Sequence, residues 1–435
     1  MREIAPSARA ICRRDGPNGA EDRCFTQNGR RRFGTLKSRR ETEFARYEVR
    51  TTAMPNPSVN APTRRGAANA APPENGRYAG LDALRGVAAL AVVYYHFGRR
   101  TELPLFFAHG YLAVDFFFAL SGFVLARAYG ARLAAGDLSF AGFCRIRAIR
   151  FLPLIVFGTL IAAGVECGRP GIVDEGRHLA DTVVAFFLGS ALVPILWPPL
   201  LEPVVFPLDG PVWSLFFEAV ANAAFAKLAR LGGERRWIAP ILLVCAAGLL
   251  LGDIRFNGLD VGDVTPNFAY GFARVGWSFT LGLALYHVGH RAPRVPFALP
   301  ALVLVAILLT PDLGRWNALF DAVAALLGLP LVVFLAAPAR FSGAMLRLCG
   351  ASGDLSYPLY ATHYPLVRAF GAIAARFELT APGRLAFDFA GTAIVLGVAY
   401  FAQSRVDAPA RRRLSLLLPA EGVRREVEAG SPPRT

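Results

Sequence analysis

Charge is scarce in this chain. Only 18% of its 435 residues are Asp, Glu, Lys or Arg, 54% are hydrophobic, and the mean hydropathy is +0.39. A soluble domain of this length needs more charge than that, and a bilayer is the solvent the composition fits. Cysteine is sparse too. The six Cys are scattered without a CxxC pair, and Cys144, Cys167, Cys245 and Cys349 lie in or beside apolar segments. That spacing excludes a disulfide framework and a zinc site, and leaves them as small hydrophobes. The first 76 residues hold no apolar h-region, so a cleaved secretory signal is not expected. No internal repeat with paired Gly/Pro-interrupted helices is visible, which makes a secondary transporter or exporter of a small molecule or glycan precursor the weaker alternative. No long stretch follows the last apolar run, so the function is expected within the membrane part or its loops.

What charge there is leans basic, with 47 Lys plus Arg against 32 Asp plus Glu and a net charge of +15. The bases, nearly all Arg, fall in the N-terminal tail and in short connectors between apolar runs. That is the pattern of membrane topology rather than of a nucleic-acid groove. Residues 1–76 are rich in Arg, Asn, Pro, Ser and Ala and are expected to be a disordered basic tail, with Met54 as a possible natural start. A membrane domain is expected over 77–408 and a cytoplasmic tail over 409–435.

Eleven apolar runs follow, each close to the ~20 residues that cross a hydrocarbon core. They lie near 81–98, 111–128, 148–165, 179–196, 212–229, 237–252, 268–288, 297–310, 316–337, 355–376 and 385–404. The fold class is therefore all-α, a polytopic bundle in a cell inner (plasma) membrane. Basic connectors at Arg145–Arg150, Lys227–Arg236, His287–Arg294, Arg340–Arg347 and Arg405–Arg413 are expected on the cytoplasmic side, as are both termini. An even number of crossings follows, one fewer than the runs. The mismatch localises to residues 166–211, where the connectors on both sides of run four carry acids and few bases. Six prolines, Pro194, Pro198, Pro199, Pro203, Pro207 and Pro211, crowd that run. Run four is expected to be re-entrant, interfacial or packed inside the bundle, leaving about ten transmembrane helices.

Polar groups inside such runs persist where they are paired or functional, since a charge at mid-membrane costs at least ~2.5 kcal/mol. Run one carries Arg85 and, eleven residues on, His96; that spacing is about 16 Å and close to three turns, so both share a face. Asp115 and Glu218 lie one to two turns inside the outer ends of their runs, at the depth expected for His96. An imidazole held by a carboxylate can take a proton from an attacking hydroxyl. Arg147 and Arg150 stand three apart at a helix start and suit phosphate oxygens. Tyr357, Tyr360 and His363, also three apart, form one polar stripe.

These residues carry a resemblance to the acyltransferase 3 family of bacterial membrane acyltransferases. RYAGLDALRGVAALAVVYYH resembles its opening Arg–His signature and VDFFFALSGFVLA its second-span signature. RIRAIR resembles its Arg-x-x-Arg element, GPVWSLFFEAV its Trp-Ser-Leu-x-x-Glu element, and SYPLYATHYPL its late Ser-Tyr-x-x-Tyr-x-x-His element. The matches run in order over 77–376. The resemblance implies ten spans and an O-acyltransferase with no permanently bound cofactor. Acyl-CoA, commonly acetyl-CoA, would be the co-substrate, and the acceptor a hydroxyl of a cell-surface glycan, a lipid-linked sugar or a small secreted molecule. It implies His96 and Glu218 in catalysis and Arg85, Arg147 and Arg150 around the donor, and by its depth Asp115 is the alternative to Glu218 for holding the imidazole. Trp213, Ser214, Tyr357, Tyr360 and His363 would meet substrate, and Ser121 or Ser214 is a conceivable nucleophile. Some relatives append an extracytoplasmic hydrolase-like domain. This chain lacks it, so a separate extracytoplasmic partner is a further expectation.

Overall fold

The computed structural model describes residues 77–101, 107–169, 175–196, 200–233, 235–377 and 379–418, with two strand fragments upstream. Ile11–Cys12 and Cys24–Phe25 pair antiparallel, a ladder of two residues a side. The remainder of 1–76, for which a disordered tail and the Met54 start are expected, and the tail beyond 418 lie outside the described residues.

Among the described residues from 77 onward the regular structure is helical, and eleven helices correspond to the eleven apolar runs. In chain order these are α1 (Ala79–Thr101), α2 (Gly110–Ala135), α3 (Phe140–Cys167), α4 (Glu175–Ser190), α5 (Val212–Arg230) and α6 (Arg235–Phe256). Then come α7 (Phe268–Val288), α8 (Ala298–Leu309), α9 (Gly314–Ala336), α10 (Gly343–Ala374) and α11 (Ala381–Phe401). The chain of α11 continues through a π-helical turn, Ala402–Asp407, into Ala408–Leu417, past the expected domain edge at 408. Local chemistry sets several ends. The Ser139 hydroxyl accepts from Gly142 N–H to start α3 early, so that Arg145, Arg147 and Arg150 lie on the helix itself. Gly136, at φ +82°, closes α2 in the left-handed region where a Cβ is penalised.

Six helices, α2, α3, α5, α6, α9 and α11 with its extension, are long and apolar enough to cross a membrane. Their outward faces are greasy: Leu243 and Ile254 of α6 are 75% and 73% exposed, positions that only lipid makes favourable. The protein is thus a multi-pass helical membrane protein. Helices α1, α7 and α10 have 23, 21 and 32 residues but carry more polar groups, among them Arg85, His96, Arg274 and His363.

Small residues let the helices approach backbone to backbone. A Cβ at Gly122 would strike the Phe279 carbonyl, one at Gly282 the Ala119 carbonyl, and one at Gly158 the Ala361 carbonyl. These contacts lock α2 on α7 and α3 on α10, while Gly86 and Gly353 do the same for α1 and α10 through Ser352 and Asp82.

The fourth helix does not carry the chain from one end of the bundle to the other. His178, in its first turn, lies 3.4 Å from Glu166 at the end of α3. Eleven residues on, Gly189 reaches only the Thr159 methyl. The connector then returns, and Arg368 joins Glu166 (2.6 Å) to Glu202 (3.0 Å). The chain thus enters and leaves the α4 region at one level. The same connector dips again, and α5 starts with Ser214 already beside Tyr360 in the middle of α10.

Candidate active site

Three arginines converge on one cavity of about 270 Å³ between α1, α2, α3, α5 and α10. Arg85 comes from α1, and Arg147 and Arg150 from successive turns of α3. Arg147 lies over the Phe151 ring (4.5 Å to its centre) and Arg150 over the Tyr357 ring (5.0 Å), so an aromatic face supports each guanidinium group. The Tyr357 hydroxyl donates to the Phe151 carbonyl at 2.8 Å, which fixes that ring. Arg85 is held by Asp82 at 3.3 Å.

Glu218 lines this same cavity. Its Oε1 accepts from the Ser121 hydroxyl at 2.6 Å and lies 3.4 Å from Arg147. This corrects the expectation that Glu218 shares the depth of His96: α5 starts at mid-bundle, so Glu218, six residues in, falls among the arginines. At the far end of the cavity the Ser214 and Tyr360 hydroxyls hydrogen-bond each other at 2.6 Å. Two hydroxyls in a largely apolar recess are what a developing oxyanion needs.

Asp115 is also placed differently from expectation. Its Oδ2 takes two hydrogen bonds from Arg274, at 2.9 and 2.7 Å, and its Oδ1 one from Ser278. Arg274 and Asp115 are 0% and 1% exposed, and Arg274 also stacks on Trp213 at 5.3 Å. Trp213 therefore backs a buried ion pair instead of facing the cavity. Arg274, in the middle of run seven, was missed at the sequence level. An arginine inside GFARVGWSF was the signal, because such a residue needs a carboxylate partner at membrane depth.

His96 lies beyond Tyr360, away from the arginines. Its ring faces His363 (5.2 Å between centres), Tyr364 (5.0 Å) and Tyr95 (5.1 Å). Arg100 stacks on Tyr364 and donates to its hydroxyl at 2.9 Å. The expected grouping of His96 with Asp115 and Glu218 is thus divided into three places. Arg85 and His96 do share α1, but they face opposite ends of the site. Near the second end, the connector before α5 buries Asp209, both of whose carboxylate oxygens are unpartnered. Among the described residues no group of His, Cys, Asp and Glu is arranged to hold a metal ion.

The fold and site together are those of a multi-pass membrane bundle that encloses an arginine-lined cavity, with two hydroxyls at its end and an imidazole pair beyond. The chain belongs to the acyltransferase 3 family of acyltransferase domains, whose match covers residues 78–403, most of its length. It is a membrane acyltransferase. A protein described as "Protein 2 in picA locus" from Rhizobium radiobacter is 38% identical over 192 residues, covering 41% of this chain and 94% of that protein. No solved structure matches.

Proposed function

We propose that the chain moves an acyl group, with acetyl the first to test, from cytoplasmic acyl-CoA to a hydroxyl of a cell-surface glycan, a lipid-linked sugar or a small secreted molecule at the inner membrane. The observation that carries the reading is the convergence of Arg85, Arg147 and Arg150 on one cavity that ends at Ser214 and Tyr360. The arginines suit the donor's phosphates. Glu218 already pairs with Arg147, so an arriving phosphate competes with it for that guanidinium. His96 takes the proton of the acceptor hydroxyl, whose oxygen attacks the thioester carbonyl. The carbon–sulfur bond breaks, and the thiolate leaves with the proton His96 returns. Ser214 and Tyr360 stabilise the tetrahedral oxyanion.

Purified protein given acetyl-CoA and candidate acceptors is expected to release free CoA thiol. Replacing both Arg147 and Arg150 by Ala should weaken donor binding by at least about tenfold, since each lost charged hydrogen bond contributes ~1.5 kcal/mol or more. Unchanged donor affinity in a folded double variant would assign the pair to membrane anchoring alone. Consumption of no thioester under any acceptor would favour the transporter reading.

A further inference from the structure

His363 is fully enclosed on α10. Its Nδ1 lies 2.8 Å from the Tyr360 carbonyl oxygen and 3.2 Å from that of Leu359. Carbonyls only accept, so Nδ1 carries the proton in the neutral ring and Nε2 is a bare lone pair. That Nε2 is buried and has no hydrogen-bond partner. A buried acceptor left in this state is costly unless a donor comes to it. Within reach stands the His96 ring, 5.2 Å away between centres and tilted by 38°. At that separation a modest ring rotation brings two nitrogens into hydrogen-bond range. The carboxylates that might have held His96 are engaged elsewhere, Glu218 by Ser121 and Arg147, Asp115 by Arg274 and Ser278.

We propose that His363 is the positioning partner of His96, so that the base of the reaction is a histidine pair rather than a histidine–carboxylate pair. The inference rests on the acyl-transfer reading with His96 as base. His363 Nε2 accepts the N–H of His96, which turns the other His96 nitrogen, as a lone pair, toward the acceptor hydroxyl. The hydroxyl proton goes to that nitrogen while the oxygen's electron pair forms the new carbon–oxygen bond. The departing sulfur takes the proton back. His363 stays neutral throughout and stabilises the transient imidazolium through one hydrogen bond. The backbone carbonyls on Nδ1 keep its tautomer fixed, the role a carboxylate or carbonyl plays for histidines elsewhere.

The titratable and charged groups around His96 bear on its pH dependence. From α10 they are His363 and Tyr364, and from α1 itself Tyr95, Arg99 and Arg100. The connector before α7 supplies Asp260, which bonds Tyr95 and Arg99. Helix α11, packed on α1 through Gly391 and Phe97, carries the buried Asp388.

The test compares His363→Leu, His363→Gln and His96→Gln in the purified protein across pH. His363→Leu is expected to lower kcat about 10- to 100-fold with the KM for acetyl-CoA unchanged. The acid limb of kcat/KM should move to lower pH, because the His96 imidazolium loses its acceptor. His363→Gln, whose side-chain carbonyl can accept, should recover part of the rate and of the limb. Wild-type rate and limb in the Leu variant, or no recovery in the Gln variant, would overturn the proposal. Should Leu fail to fold, nitrogen-15 histidine spectra of the wild-type protein decide: His363 must stay in the Nδ1–H form as His96 titrates, and an Nε2–H form overturns it. If His96→Gln keeps near-wild-type turnover, the underlying choice of base fails instead, whatever His363 does.

Discussion

Asp115 and Arg274 meet across α2 and α7 with neither exposed by more than 1%, and their chemistry follows from that burial. Two charges out of water are tolerable only as a pair with their remaining hydrogen bonds met, and here Ser278 and the Tyr111 and Val261 carbonyls meet them. Asp115→Asn is therefore expected to act on stability: breaking such a pair by removing one charge costs ~3–5 kcal/mol. The measurement is thermal unfolding in detergent, where a large drop in Tm should accompany any loss of turnover. A variant with wild-type Tm and lost transfer would return Asp115 to the catalytic set. Arg85, Arg147, Arg150, Tyr357 and Tyr360, which line the cavity, were legible as candidates because polar groups inside apolar runs stand out in a sequence. Which of them share a cavity was not legible, since depth along a helix depends on where that helix starts.

Helix α4 gives the clearest case at the scale of elements. Prolines and acidic connectors marked run four as abnormal, and the contacts of His178 and Glu202 with the Glu166–Arg368 pair supply the geometry. In a cysteine-free background, Arg177→Cys in the first turn of α4 and Pro203→Cys in the connector beyond it stand at exposed positions. Both are expected to react with an impermeant maleimide added from the same, external side. Reaction from opposite sides would make α4 a crossing. The early start of α3 was less legible, because the basic stretch before run three looked like a connector. The Ser139 cap and continuous backbone bonding through Arg145–Arg150 make it helix, which lets Arg147 and Arg150 face the cavity on successive turns.

Across the whole molecule the arginine cavity lies toward the end of the bundle where Arg77 joins Asp82 and Asp354, and the histidine pair toward the end where Arg368 joins Glu166 and Glu202. Donor and acceptor would then enter from opposite ends. Reconstituted vesicles of one orientation are expected to turn over acetyl-CoA supplied on the Arg77 side and not on the Arg368 side. Equal rates from both sides would remove the cross-membrane reading while leaving acyl transfer intact.

The amino-acid sequence by itself determined the solvent, the eleven helical segments and the family motifs. All of these rest on local composition and on spacing within one helix. Only the tertiary structure decided that Glu218 stands with the arginines, that Asp115 belongs to Arg274, and that His96 faces a second histidine in place of a carboxylate. Those outcomes depend on the relative height and rotation of neighbouring helices. Height and rotation are set by glycine contacts such as Gly122 on Phe279 and Gly158 on Ala361, and by the dip of the chain before α5. Such contacts join residues more than a hundred positions apart, and no spacing within a single run encodes them.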